Sequence, residues 1–225
     1  MAKNDFSAES ATNYEQKCLC VLVLDVSGSM GGNPIKELNN GLREFYKEIE
    51  NDDSTSQKLE VSLITFSSTV KTVQEPALVE NFTIPTLRAN GSTVLVNAVN
   101  EAIDKVAARK QWYKDSGQNY YRPWIILMTD GEPDDDQDVN GLANRIKADT
   151  AAKRYAFLPI GVDGADMSML DKIKSDIPPM HLQGAKFSQF FKWLSASMGT
   201  VVNHEEGEKV DLTKGADDWM TGFTI

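Results

Sequence analysis

The run Asp25-Val26-Ser27-Gly28-Ser29 sets one carboxylate and two hydroxyls at alternate positions, directly after the apolar stretch Cys18–Leu24. Small oxygen side chains that converge on one loop suit a hard cation such as Mg²⁺, which prefers an octahedron of oxygen ligands. Two further segments carry donors of the same kind. Gly91-Ser92-Thr93 precedes an apolar helical pattern, and Thr129-Asp130-Gly131 closes the apolar run Trp124–Met128. Asp25 and Asp130 each stand where a buried strand stops. Open α/β sheets hold their ligands in the crevice beyond the carboxyl ends of the strands.

Taken singly, each segment has a plainer explanation. D-x-S-x-S is a turn with Asx and Ser hydrogen bonds, G-S-T is a helix cap, and T-D-G is a turn after a strand. Their common placement at element ends is what joins Asp25, Ser27, Ser29, Thr93 and Asp130 into one candidate site. Asp134, Asp135, Asp136 and Asp138 read as a solvated loop and helix N-terminus, where negative charge is favourable. The turn Gly161–Asp166 lacks the ligand count and downstream Glu of a calcium loop and reads as a turn capped by Asp or Ser. Cys18 and Cys20 lie two apart on a strand, so both face the same way as buried thiols and make a poor zinc site. His181 and His204 are isolated, and Trp112, Tyr113, Tyr120, Tyr121, Arg122 and Trp124 cluster around one loop that reads in part as cover for the sheet edge, with a binding surface as the alternative.

The elements that must position these residues follow from periodicity. Cys18–Asp25, Leu59–Phe66, Trp124–Thr129 and Arg154–Gly161 are apolar runs of strand length. Val70–Gln74 follows Phe66 too closely for a crossover and predicts an antiparallel hairpin at a sheet edge. Met180–Gln183 is a candidate last strand. Helical spacing runs from Pro34 to Glu50, from Thr93 (with Ser92 or Thr93 as N-cap) toward Lys110, over Val139–Ala152, Ser168–Ser175 and Phe187–Met198. Asn51–Lys58, Pro76–Ala89 and Lys110–Arg122 read as loops, and the chain after Gly199 as an acidic tail in which Trp219, Met220 and Phe223 dock on the domain or on a partner. Strands alternating with helices predict a doubly wound, Rossmann-like α/β fold: a mostly parallel sheet of about six strands with one antiparallel edge strand and helices on both faces.

Composition narrows the partners. The 225 residues are 41% hydrophobic and 25% charged, with a formal net charge of −10. That charge argues against nucleic acid or an anionic membrane as the main partner and is compatible with a cation. Met1–Lys17 has no apolar core of a signal peptide, and no stretch reaches the length of a membrane span, so a cytoplasmic location is expected.

The order Asp25-x-Ser27-x-Ser29, Thr93, Asp130 resembles the metal-ion-dependent adhesion site (MIDAS) of the von Willebrand factor A (vWA) domain, written D-x-S-x-S, then T, then D. The likeness covers about residues 17–200, leaving an N-terminal arm at 1–16 and a C-terminal tail at 201–225. Asp25–Ile35, Ser62–Phe66 and Thr129–Asp135 look most like the bacterial branch related to the tellurite-resistance protein TerY. Members of that branch are stand-alone cytoplasmic proteins encoded beside a kinase and a phosphatase and associated with stress response or defence. The resemblance implies that Ser27, Ser29 and Thr93 bind Mg²⁺ through neutral hydroxyls, while Asp25 and Asp130 act largely through bound water. Ligand type does not separate Mg²⁺ from Mn²⁺. An ion so held keeps most of its charge and takes an Asp or Glu carboxylate from another protein, such as an associated kinase or phosphatase.

The expected function is therefore a non-catalytic, Mg²⁺-dependent protein-interaction module. A metal-dependent phosphohydrolase is the alternative from another class, but the position two after Asp25 is Ser27 rather than a second Asp, and no glycine-rich phosphate loop with Lys is present. A structural subunit with a vestigial site is the third reading.

Overall fold

The computed structural model describes residues 4–10, 13–162, 164–184, 186–203, 216, 220 and 221. Five strands run parallel: β1 (Cys18–Asp25), β2 (Leu59–Phe66), β4 (Trp124–Thr129), β5 (Ala156–Gly161) and β6 (Met180–Leu182). β3 (Val70–Leu78) pairs antiparallel with β2 at one edge. This is the expected six-stranded arrangement. A two-residue strand, β7 (Met220–Thr221), adds antiparallel to β6, so the order is β3-β2-β1-β4-β5-β6-β7. The rest of the expected docking tail, Trp219 and Phe223 included, lies outside the described residues, as does His204.

Every residue of β1, β2, β4 and β5 is buried, which explains why these runs lack polar alternation. Side chains alternate between two cores. Cys18, Cys20, Leu22 and Leu24 pack with α1 (Asn33–Glu50) and α6 (Phe187–Asn203). Leu19, Val21 and Val23 pack with α3 (Leu95–Asp115), α4 (Val139–Ala151) and α5 (Met167–Lys172). The two cysteines share a face as expected, and burial pushes the Cys18 thiol up to about 12. On that face α1 and α6 come close: a Cβ on Gly41 would lie 2.7 Å from the Phe191 ring, so this position has no room for a side chain. Among the described residues no helix is long and apolar enough to cross a membrane.

β1 lies between β2 and β4, so the chain winds outward from it in both directions. The crevice between the carboxyl ends of β1 and β4 is thus the topological switch point, where sheets of this kind bind ligands.

Several elements differ from expectation: α6 runs to Asn203, past the expected end at Met198 and into the expected tail, and three others depart through polar groups or an edge position that periodicity does not count. Asn51–Lys58 contains a short helix, α2 (Asp53–Lys58), because the Asp52 carboxylate accepts from the Ser54 and Thr55 amides at 3.1 and 3.2 Å. β3 continues past Gln74 through Pro76, which an edge strand tolerates because it needs no inward amide there. α3 runs on to Asp115, through the start of the expected loop. Its buried face there carries Lys105, Arg109 and Tyr113 in place of aliphatic residues.

Those groups form a buried ionic cluster at the amino ends of the strands. The Arg109 guanidinium donates two bonds of 2.8 Å to Glu60 of β2, and the Tyr113 hydroxyl donates to the same carboxylate at 2.6 Å. Arg109 also pairs with Glu9 at 2.5 Å and lies 4.9 Å from the Phe6 ring, which ties the N-terminal arm to α3. Lys105 reaches Glu75 at 2.7 Å. Glu60→Ala leaves the Arg109 charge buried without its main partner and is expected to cost about 3–5 kcal/mol. Urea unfolding checks this: the double variant Glu60→Leu/Arg109→Met should recover much of the loss.

Candidate metal centre

β1 delivers Asp25 to the end of the sheet fully buried, at 0% exposure. Its Oδ1 accepts from the Ser27 amide at 2.7 Å and its Oδ2 from the Thr129 hydroxyl at 2.5 Å. The first bond turns the chain sharply after the strand, and residues Gly28–Met30 continue it as a short 3-10 turn. Ser27 and Ser29 thereby meet, Oγ to Oγ, at 2.9 Å, and Ser29 donates to Asp130 Oδ1 at 2.7 Å. Asp130 directly follows β4, one strand over, and is half-buried.

The segment that carries Thr93 is laid against the first loop by its backbone. The Gly28 amide donates to the Gly91 carbonyl at 3.0 Å, and the Asn90 amide to the Val26 carbonyl at 2.8 Å. Gly91 has φ +78°, and a Cβ there would stand 2.5 Å from Ser68 Oγ, so only glycine fits this turn. Thr93 is 8% exposed. A Cβ on Gly131 would lie 3.5 Å from Thr93 Oγ1 and 3.9 Å from Asp25 Oδ2, which puts both oxygens around one point beside the third segment. All five expected residues, Asp25, Ser27, Ser29, Thr93 and Asp130, therefore gather at the switch point.

Electrostatics sets these carboxylates apart from others in the chain. Burial raises the Asp25 carboxyl, bonds from Thr129 and Ser27 oppose that, and the nearby Asp130 charge adds to it. Burial likewise raises Asp130, opposed by the Ser29 hydroxyl. No ion pair among the described residues involves either group. Among the described residues, too, no three His, Cys, Asp or Glu side chains are grouped as a metal site. The donor set here is instead two carboxylates and three hydroxyls. Such a set fits a small divalent cation with an affinity for hard oxygens, and it would leave much of the ion's charge for an outside ligand.

The sequence reading missed how Thr93 is held. Helix α3 begins at Leu95, and its N-cap, Val94, makes no side-chain cap bond. The cap comes from the loop after β4: the Gln137 side-chain Oε1 accepts from the Val96 amide at 2.8 Å, and the Asp134 carboxylate from the Thr93 amide at 3.1 Å. Asp134 is thus a clamp on a neighbouring segment, half-buried where a solvated loop was expected. A polar residue whose partner lies 41 positions away leaves no local signal. Asp138 and Asp166 do cap α4 and α5, as expected of their positions. Asp163 lies outside the described residues, and His181 sits on β6, away from these loops.

The comparisons with known proteins agree with the architecture. Residues 20–190 match the von Willebrand factor type A domain, and the chain belongs to that family. Among solved structures it is similar to the ArnB paralog VWA2 from Sulfolobus acidocaldarius, at TM-score 0.56 and 17% identity over 81% of this chain and 45% of that one. It is also similar to the pilus adhesin SpaC from Lactobacillus rhamnosus GG, at TM-score 0.64 and 16% identity over 86% of this chain and 31% of the adhesin. The vWF domain of the type V pili tip protein Mfa5 from Porphyromonas gingivalis aligns at TM-score 0.60 and 12% identity over 86% of this chain and 99% of the domain. The chain thus spans under half of the first two proteins and nearly all of the third. No curated protein matches it.

The buried Asp25 charge yields a pH prediction for the metal-free protein. A carboxyl raised by folding binds its proton more tightly in the folded state, so its contribution to stability falls as pH rises from the ordinary carboxylate range through the raised value. In EDTA, Asp25→Asn should therefore be the more stable protein at neutral pH, with the gap closing toward acid. Each kcal/mol corresponds to about 2–4 °C in Tm for a domain of this size. Thermal unfolding of both proteins across pH measures the gap.

Proposed function

We propose that this vWA domain is a non-catalytic, Mg²⁺-dependent interaction module that grips an acidic side chain of a partner protein. The observation that carries the reading is the buried Asp25 carboxylate, satisfied by an amide and a hydroxyl and paired with no cationic side chain among the described residues, with Asp130 and the hydroxyls of Ser27, Ser29 and Thr93 around it. Ser27, Ser29 and Thr93 would hold Mg²⁺, or Mn²⁺, through their hydroxyls, and Asp25 and Asp130 largely through water. Bound there, the ion supplies an undercompensated positive charge that accepts a foreign carboxylate. The chain's own contribution is to keep the hydroxyls converged: Thr129 and the Ser27 amide fix Asp25, and Ser29 links the first loop to Asp130.

The names of two structural relatives, a pilus adhesin and a pilus tip protein, agree with an adhesive role and suggest no reaction. The finer parts of the proposal rest on the TerY-like stretches: a cytoplasmic bacterial protein in a stress-response or defence system, including tellurite resistance, with a kinase or phosphatase as partner. The net charge of −10 also suits a protein that meets its acidic partner through a metal, since direct contact between two acidic surfaces is repulsive.

The test is a pull-down from native lysate with Mg²⁺ or with EDTA. A partner should be retained by the wild type in Mg²⁺ and lost in EDTA, in Asp25→Ala and in Thr93→Ala, with all three proteins folded. Binding that survives chelation and both substitutions contradicts the proposal. Metal-dependent turnover of a phosphoester by the pure protein, abolished in Asp25→Ala, would transfer the site to an enzyme.

A further inference from the structure

The three segments of the candidate centre are joined pairwise, and the third join is the informative one. The first and second meet through Gly28–Gly91 and Val26–Asn90. The first and third meet through Ser29–Asp130 and Asp25–Thr129. Among the described residues, the hydrogen bonds between the second and third all come from Asp134 and Gln137. The Thr93 amide donates to the Asp134 carboxylate at 3.1 and 3.3 Å, and the Asp134 amide donates back to the Thr93 carbonyl at 3.1 Å. Gln137 Nε2 donates to that same carbonyl at 2.7 Å, while its oxygen accepts from the Val96 amide at 2.8 Å. Both faces of the Thr93 peptide are therefore held by the loop that begins with Asp130.

We infer that Asp134, assisted by Gln137, is a positioning residue for metal binding: it acts through the Thr93 backbone and makes Thr93 and Asp130 a single rigid unit. The inference rests on the proposed metal reading and deepens it. Three features support it. The neighbouring Val94 and Ser92 amides are tied to the Ser67 carbonyl and to Ser68 Oγ, each at 2.9 Å, but among the described residues the amide and carbonyl of Thr93 itself are held by Asp134 and Gln137. The bonds run to backbone atoms and leave the Thr93 hydroxyl uncommitted to Asp134 or Gln137. The neighbouring Asp135 and Asp136 are exposed and carry the same charge in the same loop, which separates geometry from simple attraction of a cation.

The decisive comparison uses Mn²⁺ as probe, titrated calorimetrically against the full chain, with amide hydrogen exchange measured in EDTA. Asp134→Ala and Gln137→Ala should weaken Mn²⁺ binding, Asp134→Ala by about 10–100-fold, the usual effect of removing a group that orients a ligand. Asp134→Asn keeps an acceptor for the Thr93 amide and should restore most of the affinity. Asp135→Ala and Asp136→Ala should leave it nearly unchanged. In the metal-free protein the Thr93 amide should exchange at least tenfold faster in Asp134→Ala, with the β1 and β4 amides protected as in the wild type. Equal affinity for wild type and Asp134→Ala overturns the inference while leaving the metal reading in place. Equal losses in Asp134→Ala, Asp135→Ala and Asp136→Ala also overturn it, because loop charge rather than position would then be responsible. A wild type that takes up no Mn²⁺ overturns the metal reading, and the inference falls with it.

Discussion

A carboxylate stripped of water at the end of the central strand is the constraint on which the upper end of this molecule depends. Registry leaves Asp25 no choice: it continues a strand whose every residue is buried, opposite Phe66 on one side and next to the end of β4 on the other. A buried charge without partners is costly. The turn after β1 and the placement of the Thr129 hydroxyl both surround this one group with donors, and the Thr93 segment is laid beside it by backbone bonds.

The two ends of the sheet handle buried charge in opposite ways. At the amino ends, Glu60 meets a fixed guanidinium from Arg109, with Tyr113 completing the set, and the arrangement is closed. At the carboxyl ends, Asp25 and Asp130 meet amides and hydroxyls and, among the described residues, no cationic side chain, and burial raises both carboxyls. Neutral donors moderate the charge without cancelling it. One end is thereby committed to holding α3 and the N-terminal arm to the sheet, and the other leaves two carboxylates close together with neutral donors around them. The separation is physical as well: Glu60 pairs with Leu19, six residues before Asp25, which places the two clusters about 20 Å apart along β1.

Wherever apolar burial dominates, the fold was readable from the chain. The runs at Cys18–Asp25, Leu59–Phe66 and Trp124–Thr129 became strands with the expected bounds, because a strand buried on both faces needs no partner-specific information. The core strand expected from Arg154 begins at Ala156. The five candidate residues could be singled out because each sits at or beside an element end, and strand and helix ends are the best-marked points of a sequence. Reading failed where long-range polar pairs decide the structure. Lys105, Arg109 and Tyr113 look like the end of an amphipathic helix until Glu60 and Glu75 are brought beneath them. Asp134 looks like loop charge until Thr93 is folded against it. The hydroxyl of Thr93 fits one role, but its expected capping role belongs to groups from another segment.

The central claim is that side-chain oxygens from three separate segments surround one divalent ion. Anomalous diffraction from crystals grown in Mn²⁺ tests it most directly. The account predicts a single strong peak in contact with the hydroxyls of Ser27, Ser29 and Thr93, with Asp25 and Asp130 around it. Loops splayed apart with no peak between them, or a peak seated instead on the exposed Asp135 and Asp136, would contradict it.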